Sequence, residues 1–356
     1  MQTDNPVQLI LDDGTVFNGW SFGAEKAAAG EVVFSTAMVG YPESLTDPSY
    51  LGQILVITYP LVGNYGVPDN TMTNGISDFY ESEKIQVNGL IVSDYSQEFS
   101  HWNAKKSLGE WLKEDGVPGI YGIDTRELTK ILREKGSMKG KIVFGNPDEI
   151  DFIDPNLENQ VAKASCNEVL TYGKGDKKVV LVDCGVKHNI IRSLLKRDIT
   201  LIRVPWNYDF NELDYDGLFI SNGPGNPDYC EETVKNIRKA MDAGKPICGI
   251  CMGNQLLSKA GGATTYKLKY GHRSHNQPVR MAGSERCFIT SQNHGFAVSN
   301  SSLSDEWEPF FINLNDGTNE GIKHKTKPFF SAQFHPEAAS GPTDTDFIFD
   351  LFFEKL

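Results

Sequence analysis

The sequence predicts an α/β protein in two parts: a C-terminal doubly wound, mainly parallel sheet, preceded by a mixed, β-rich α/β domain. Three observations predict it. From residue 177 apolar strands alternate with amphipathic helices. The first 150 residues are short apolar runs punctuated by Gly, Pro and Asp. The chain has 356 residues, enough for two cores at roughly 100–200 residues per domain.

In residues 1–150 the runs "VQLILDDGTVFNGWSFG", "GEVVFSTAMVG", "GQILVITYP" and "VNGLIVSDYS" read as strands. Two stretches carry helical spacing, "AKKSLGEWLKEDG" and "DTRELTKILREKG". In the second, Leu128, Ile131 and Leu132 form one stripe, Asp124 or Thr125 can cap the start, and Gly136 can end it. Residues 151–176 are more polar and are expected to be a linker before a second domain at 177–356. There "KKVVLVDCG" leads into "VKHNIIRSLLKRD", "ITLIRVP" follows, "YDGLFISNGPGNP" leads into "CEETVKNIRKAMDAG", and "KPICGI" leads into "CMGNQLLSKAGG". Such strand–turn–helix grammar implies parallel strands covered on both faces. No internal repeat or low-complexity tract is visible.

Composition narrows the function. With 34 Lys and Arg against 47 Asp and Glu the net charge is −13, which argues against nucleic acid and anionic membranes as partners. Six irregularly spaced cysteines read as reduced thiols. Neither a basic-then-apolar leader nor a run of about 18 apolar residues is seen, so a cytoplasmic protein is expected.

The chemistry is concentrated in "PICGICMGNQLL", residues 246–257. Gly249-Ile250-Cys251-Met252-Gly253 has the form G-x-nucleophile-x-G at the end of a strand, where small neighbours permit a strained turn. The helix that follows would favour a thiolate, and the Met252 N–H would face an oxyanion. A thiol in an apolar segment is, taken alone, more often a small core residue. Cys248-x-x-Cys251 could be a redox pair, but Cys248 lies inside the predicted strand and should be buried; the two thiols with His272 and His275 could be a zinc site, although the spacings do not fit a finger well. A cysteine nucleophile needs a base, and "PFFSAQFHPEA" offers one: residues 328–334 read as a strand ending in His335-Pro336-Glu337. In extended chain, residues i and i+2 share a side, so Glu337 can hold the far nitrogen of His335.

These residues resemble a class I, triad-type glutamine amidotransferase. Further segments, "SNGPGNP" (221–227), "YGHRSHNQPV" (270–279), "SQNHGFAV" (291–298), "GEVVFSTAMVGYPESLTDPSY" and "YGIDTRELTKILREKG", extend the resemblance to the small subunit of carbamoyl-phosphate synthetases over nearly the whole chain. The resemblance implies that Cys251 attacks the side-chain amide of L-glutamine, His335 shuttles the proton and Glu337 orients His335. It further implies a glutamine pocket of Ser49, Gly223, Gly225, Met252, Gln255, Asn293, Gly295 and Phe296, with Gly223 and Met252 supplying the oxyanion hole. Ammonia would pass to a large synthetase subunit, expected as a separate polypeptide, that makes carbamoyl phosphate from bicarbonate and ATP for arginine or pyrimidine synthesis. No cofactor or metal is expected on this chain, while ATP and divalent metal are expected on that partner. The first domain would dock the partner and lend Ser49 to the pocket.

Asn254 departs from the family pattern, which commonly has His there, and is expected to change the rate or its coupling. The rival readings are a catalytically silent regulatory or assembly subunit, the amidotransferase of another synthetase, and a stand-alone γ-glutamyl amide hydrolase.

Overall fold

The computed structural model describes residues 5–356, which divide into two compact units with the boundary between Leu157 and Glu158. Among the described residues no helix is long and apolar enough to cross a membrane.

The first unit is built on a closed barrel. Its strands are β1 (Pro6–Leu11), β2 (Val16–Ser21), β3 (Ala28–Ser35), β4 (Gln53–Ile57), β5 (Gly89–Ile91), β6 (Gly119–Tyr121) and β7 (Met138–Val143), in the order β1-β7-β3-β4-β5-β6-β2. β3, β4, β5 and β6 run parallel and the remaining neighbours antiparallel. Alternation on β1 buries Val7, Leu9 and Leu11, whereas every residue of β4 is buried. Two helices begin as their sequences direct: α1 (Leu108–Glu114) carries a capping box between Ser107 and Glu110, and α2 (Thr125–Lys135) is capped by Asp124 and ends at Gly136.

The segment 151–176, expected as a linker, is structured in part. The boundary between the units falls within it, and its second part supplies α3 (Gln160–Ala164), with Val161 in the core, and the edge strand β8 (Leu170–Tyr172). A short helix and an edge strand, each with one exposed face, carry the polar composition that a linker would also have.

The second unit holds a sheet of ten strands. Those after β8 are β9 (Lys177–Asp183), β10 (Ile199–Pro205), β11 (Gly217–Ile220), β12 (Ile247–Ile250), β13 (Thr265–Met281), β14 (Cys287–Val298), β15 (Trp307–Asn313), β16 (Asn319–His324) and β17 (Phe329–Ala332), in the order β8-β10-β9-β11-β12-β17-β16-β15-β13-β14. The five strands from β10 to β17 are parallel, with α4 (His188–Leu195), α5 (Glu231–Ala243) and α6 (Met252–Ala260) among their connections. Of the other five, β8 pairs antiparallel with β10 at one edge, and β16, β15, β13 and β14 form an antiparallel arm on the opposite side. Strand order changes direction between β9 and β11, and ligand sites in such sheets open at the carboxyl ends near that point.

Asp183, at the carboxyl end of β9, is fully buried. One carboxylate oxygen accepts the N–H groups of Gly185 and Val186, each at 2.8 Å, and the other accepts Cys166 N–H and the Arg203 guanidinium. That carboxylate shapes the turn which presents Lys187. Asp183→Ala would leave Arg203 buried without its carboxylate and should cost roughly 3–5 kcal/mol. The check is denaturant unfolding of the second unit; a loss below about 1 kcal/mol would mean that the pair contributes little to the turn.

Candidate active site

Cys251 stands where β12 meets α6, with φ 54° and ψ −102°. A residue bearing a Cβ pays of order 1–3 kcal/mol for such a backbone, so its surroundings must hold it there. They do so by close approach. A Cβ on Gly249 would lie 2.4 Å from the Gly253 carbonyl oxygen, and one on Gly253 would lie 2.2 Å from that of Ile220. The Cys251 N–H is fixed to the Ala332 carbonyl at 2.8 Å. The G-x-C-x-G spacing is therefore a steric requirement. The thiol donates to the Asn293 carbonyl at 3.7 Å, and the Met252 N–H is one of the helix-start donors without an intrahelical acceptor.

His335 follows β17, the parallel neighbour of β12, and its N–H is tied to Ser291 of β14 at 2.9 Å. Its Nδ1 lies 2.7 Å from Glu337 Oε1, the i and i+2 contact expected from the sequence. Among the described residues its Nε2 has no partner at hydrogen-bond distance, and the Cys251 side chain is near enough to raise the ring's basicity. Burial opposes the imidazolium, but Glu337 and then Cys251 outweigh it, so the ring is held well above the ordinary histidine value. Burial likewise opposes the Glu337 anion, and Lys187 and His335 hold it below the ordinary carboxylate range.

Lys187 was not singled out in the sequence. It is buried, its Nζ lies 3.1 Å from Glu337 Oε1 and donates to the Ala338 carbonyl at 2.6 Å. The Asn189 amide holds the Glu337 carbonyl, and Asn222 receives the Lys187 N–H at 3.0 Å. The available signal was position: Lys187 lies just beyond the carboxyl end of a parallel strand, as Cys251 and His335 do. His275 also faces this group; burial, then Lys187 and His335, push it down to about 4, so it is neutral at pH 7.

The other expected residues are placed as follows. Gly223, after β11, could not bear a Cβ, which would lie 2.1 Å from the Cys184 carbonyl oxygen. Gly225 has φ +80° and packs on Gln160. Gln255 donates to the Phe296 carbonyl at 3.1 Å, and a Cβ on Gly295 would approach Arg273. Thus Met252, Gln255, Asn293 and Phe296 are linked to the surroundings of Cys251. Ser49 belongs to the first unit, in a 3₁₀ turn where its N–H is held by Asp47. Asn254 is fully buried and bonded to Ser331 and Gln333 of the strand that leads to His335.

The alternative thiol chemistries are not assembled. Cys248 is fully buried in β12, and burial pushes its thiol well up, which does not suit a redox partner. The group of described residues able to hold a metal is His272, His294 and Glu320, with no cysteine.

Residues 9–142 match the family described as carbamoyl-phosphate synthase small chain, CPSase domain, and residues 180–355 match glutamine amidotransferase class-I. The chain thus carries a carbamoyl-phosphate synthase small-chain domain followed by a class-I glutamine amidotransferase domain. It is 53% identical to multifunctional protein CAD of Squalus acanthias over 97% of this chain and 16% of that protein. It is 51% identical to mitochondrial carbamoyl-phosphate synthase [ammonia] of Homo sapiens over 98% of this chain and 23% of that protein. The chain thus spans about a fifth of the length of these curated relatives. The solved structure of a putative GMP synthase component from Thermoplasma acidophilum has a TM-score of 0.44 at 28% identity, covering 50% of this chain and 92% of that one.

Within the class-I amidotransferase domain, Lys187 gives a linkage prediction. The depressed Glu337 contributes stability above its unfolded value, and that contribution is lost as pH falls below the ordinary carboxylate range. Lys187→Met removes a large part of the depression. Thermal melts from pH 8 to pH 3 should show the variant less stable at neutral pH and the gap closing toward pH 3; a gap independent of pH would exclude the coupling.

Proposed function

We propose that this chain hydrolyses L-glutamine to glutamate and ammonia through a Cys251 thioester and delivers the ammonia to a synthetase portion that forms carbamoyl phosphate. The observation that carries it is the buried series Cys251, His335, Glu337, Lys187 at adjoining strand ends. The two matched domains add the biosynthetic setting.

In the proposed cycle, the thiol proton moves to His335 and Cys251 Sγ adds to the Cδ carbonyl of glutamine. The N–H groups of Met252 and Gly223 face the oxyanion. Collapse breaks the C–N bond as His335 returns the proton to the departing nitrogen, giving ammonia and the γ-glutamyl thioester. His335 then takes a proton from water, whose oxygen attacks the thioester; glutamate leaves and the thiol is restored. A basic His335 favours the separated thiolate and imidazolium before attack, and Glu337 stabilises that state.

ATP and divalent metal belong to the synthetase portion in this reading, and the far greater length of the relatives supports such a partner. The first domain would dock it. Six free cysteines fit a reducing, cytoplasmic setting. A second reading, a catalytically silent subunit, is favoured by one finding: a chain region this similar occurs in a synthase whose name specifies ammonia.

The deciding experiment measures glutamate release by this chain and by Cys251→Ser, alone and with a synthetase portion, bicarbonate and ATP. Loss of at least about 10³-fold in Cys251→Ser is expected, and His335→Asn should lose a similar factor because the residues act as a unit. No release from the unmodified chain under either condition would establish the silent reading.

A further inference from the structure

We propose that His272, His294 and Glu320 form a binding site for one divalent transition-metal ion, with the ligand chemistry of zinc, that ties together three strands of the antiparallel arm. The site stands apart from the glutaminase reading, and it departs from the expectation, drawn from the resemblance, of a chain without metal.

The three side chains come from three strands. His272 on β13 and His294 on β14 are direct cross-strand partners with ring centroids 4.9 Å apart, and Glu320 stands on β16. All three are buried, and each offers one ligand atom, these atoms lying within 4.8 Å of one another. Gln292, two residues before His294 and so on the same side of β14, is buried as well.

The direction of the lone pairs distinguishes this group from an ordinary polar cluster. His294 Nδ1 is 2.9 Å from the Phe296 carbonyl, which can only accept, so Nδ1 carries the hydrogen and Nε2 a lone pair. That lone pair faces two further acceptors, Gln292 Oε1 at 3.2 Å and Glu320 Oε1 at 3.9 Å. The Gln292 amide is oriented by its nitrogen, which donates to Thr290 Oγ1 at 3.1 Å, while that hydroxyl donates to the Gln277 carbonyl. His272 Nε2 meets Asp316 Oδ2 at 2.9 Å and carries the hydrogen there, which turns a lone pair at Nδ1 toward Glu320 Oε1, 3.3 Å away. Neither that Nδ1 nor Glu320 Oε2 has a hydrogen-bond partner among the described residues. Acceptors thus converge from three strands with no hydrogen between them, and a cation completes such an arrangement. Protonating His272 alone would leave His294 Nε2 against its acceptors. Protonating both rings would set two imidazolium charges side by side in the interior, facing a single carboxylate.

The outer contacts are also those of a metal site. A metal-binding histidine gives its second N–H to a carboxylate or a backbone carbonyl, which fixes the ring and its tautomer. His272 has the first kind of partner in Asp316 and His294 the second in Phe296, while the Asn313 amide holds Glu320 Oε1 at 3.0 Å. Two imidazoles and a carboxylate favour zinc-like ions over Mg²⁺ and Ca²⁺, which take mainly oxygen ligands. Ligand atoms about 2.0–2.1 Å from a tetrahedral zinc stand about 3.3 Å apart. The separations of 3.2, 3.3 and 3.9 Å lie near that value. Gln292 Oε1 and Glu320 Oε2 are the nearby candidates for a fourth ligand. Glu320 in the site and Asp316 behind His272 match the two charges of the ion.

The test uses the whole chain, purified without a polyhistidine tag, stripped with a chelator and titrated with Zn²⁺. One Zn²⁺ per chain by atomic emission, a Kd at or below about 1 μM and a melting temperature that rises with Zn²⁺ are expected. Co²⁺ in its place should give the visible absorption of a four-coordinate ion, which an ion loosely held at the surface does not. Glu320→Gln and His272→Ala should each weaken binding by at least about 100-fold and abolish the rise in melting temperature, whereas Asp316→Asn, which leaves every ligand in place, should weaken it about 10-fold. Should the two ligand variants fail to fold, Asp316→Asn at its exposed position decides, and an unchanged affinity there overturns the proposal. A wild-type chain that takes up neither Zn²⁺ nor Co²⁺ overturns it. So does stoichiometric zinc that all three variants keep, or that Cys251→Ser loses while Glu320→Gln keeps it, because the ion then sits elsewhere or on the thiol. The glutaminase reading is decided separately, by glutamate release.

Discussion

The backbone of Cys251 is the constraint on which the second unit depends. Its left-handed φ is stable only because β12 lies inside a parallel sheet, its N–H is held by β17, and α6 approaches so closely that residues 249 and 253 have no room for a Cβ. The same contacts set the relation between Cys251 and His335. His335 is reached by following β17, the strand that accepts the Cys251 N–H, so a displacement of one moves the other. Precision in this site is supplied by the sheet, and the loops inherit it.

Charge is organised around the same strand ends. An isolated carboxylate as buried as Glu337 would be driven to its neutral form. Lys187 and His335 prevent that, and the position of Lys187 is set by Asp183 and Asn222 one layer away. The turn after β9, the turn after β11 and the end of β17 therefore form one electrostatic unit. This arrangement suits a base that must alternate between neutral and charged forms, because its counter-ion is fixed before the proton arrives.

The parts of this protein legible in the sequence were those set by local rules. The caps of α2, the burial of Cys248 within a strand, the G-x-C-x-G turn and the His335–Glu337 contact all follow from spacing within a few residues. What escaped was made by distant partners. Lys187 acquires its role from Glu337, 150 positions away, and His272, His294 and Glu320 meet only because the antiparallel arm β13–β16 brings them together. Polarity misled at 151–176, since an edge strand and a linker draw on the same residue types. The long strands β13 and β14 were hidden for a related reason: two register shifts interrupt their pairing and mixed burial blurs the alternation.

Asn254 shows how a departure from a family pattern can be read in physical terms. Its side chain accepts from Ser331 Oγ at 2.7 Å and donates to Gln333 Oε1 at 2.8 Å, inside a fully buried cluster beneath the nucleophile helix. An imidazole also offers one donor and one acceptor, but on opposite edges of a ring, whereas the amide presents them side by side. The two residue types can therefore satisfy similar partners only with a different spacing between α6 and β17. These elements carry Cys251 and His335, so the residue at 254 bears on how those two side chains are spaced. This effect requires no proton transfer by residue 254 itself.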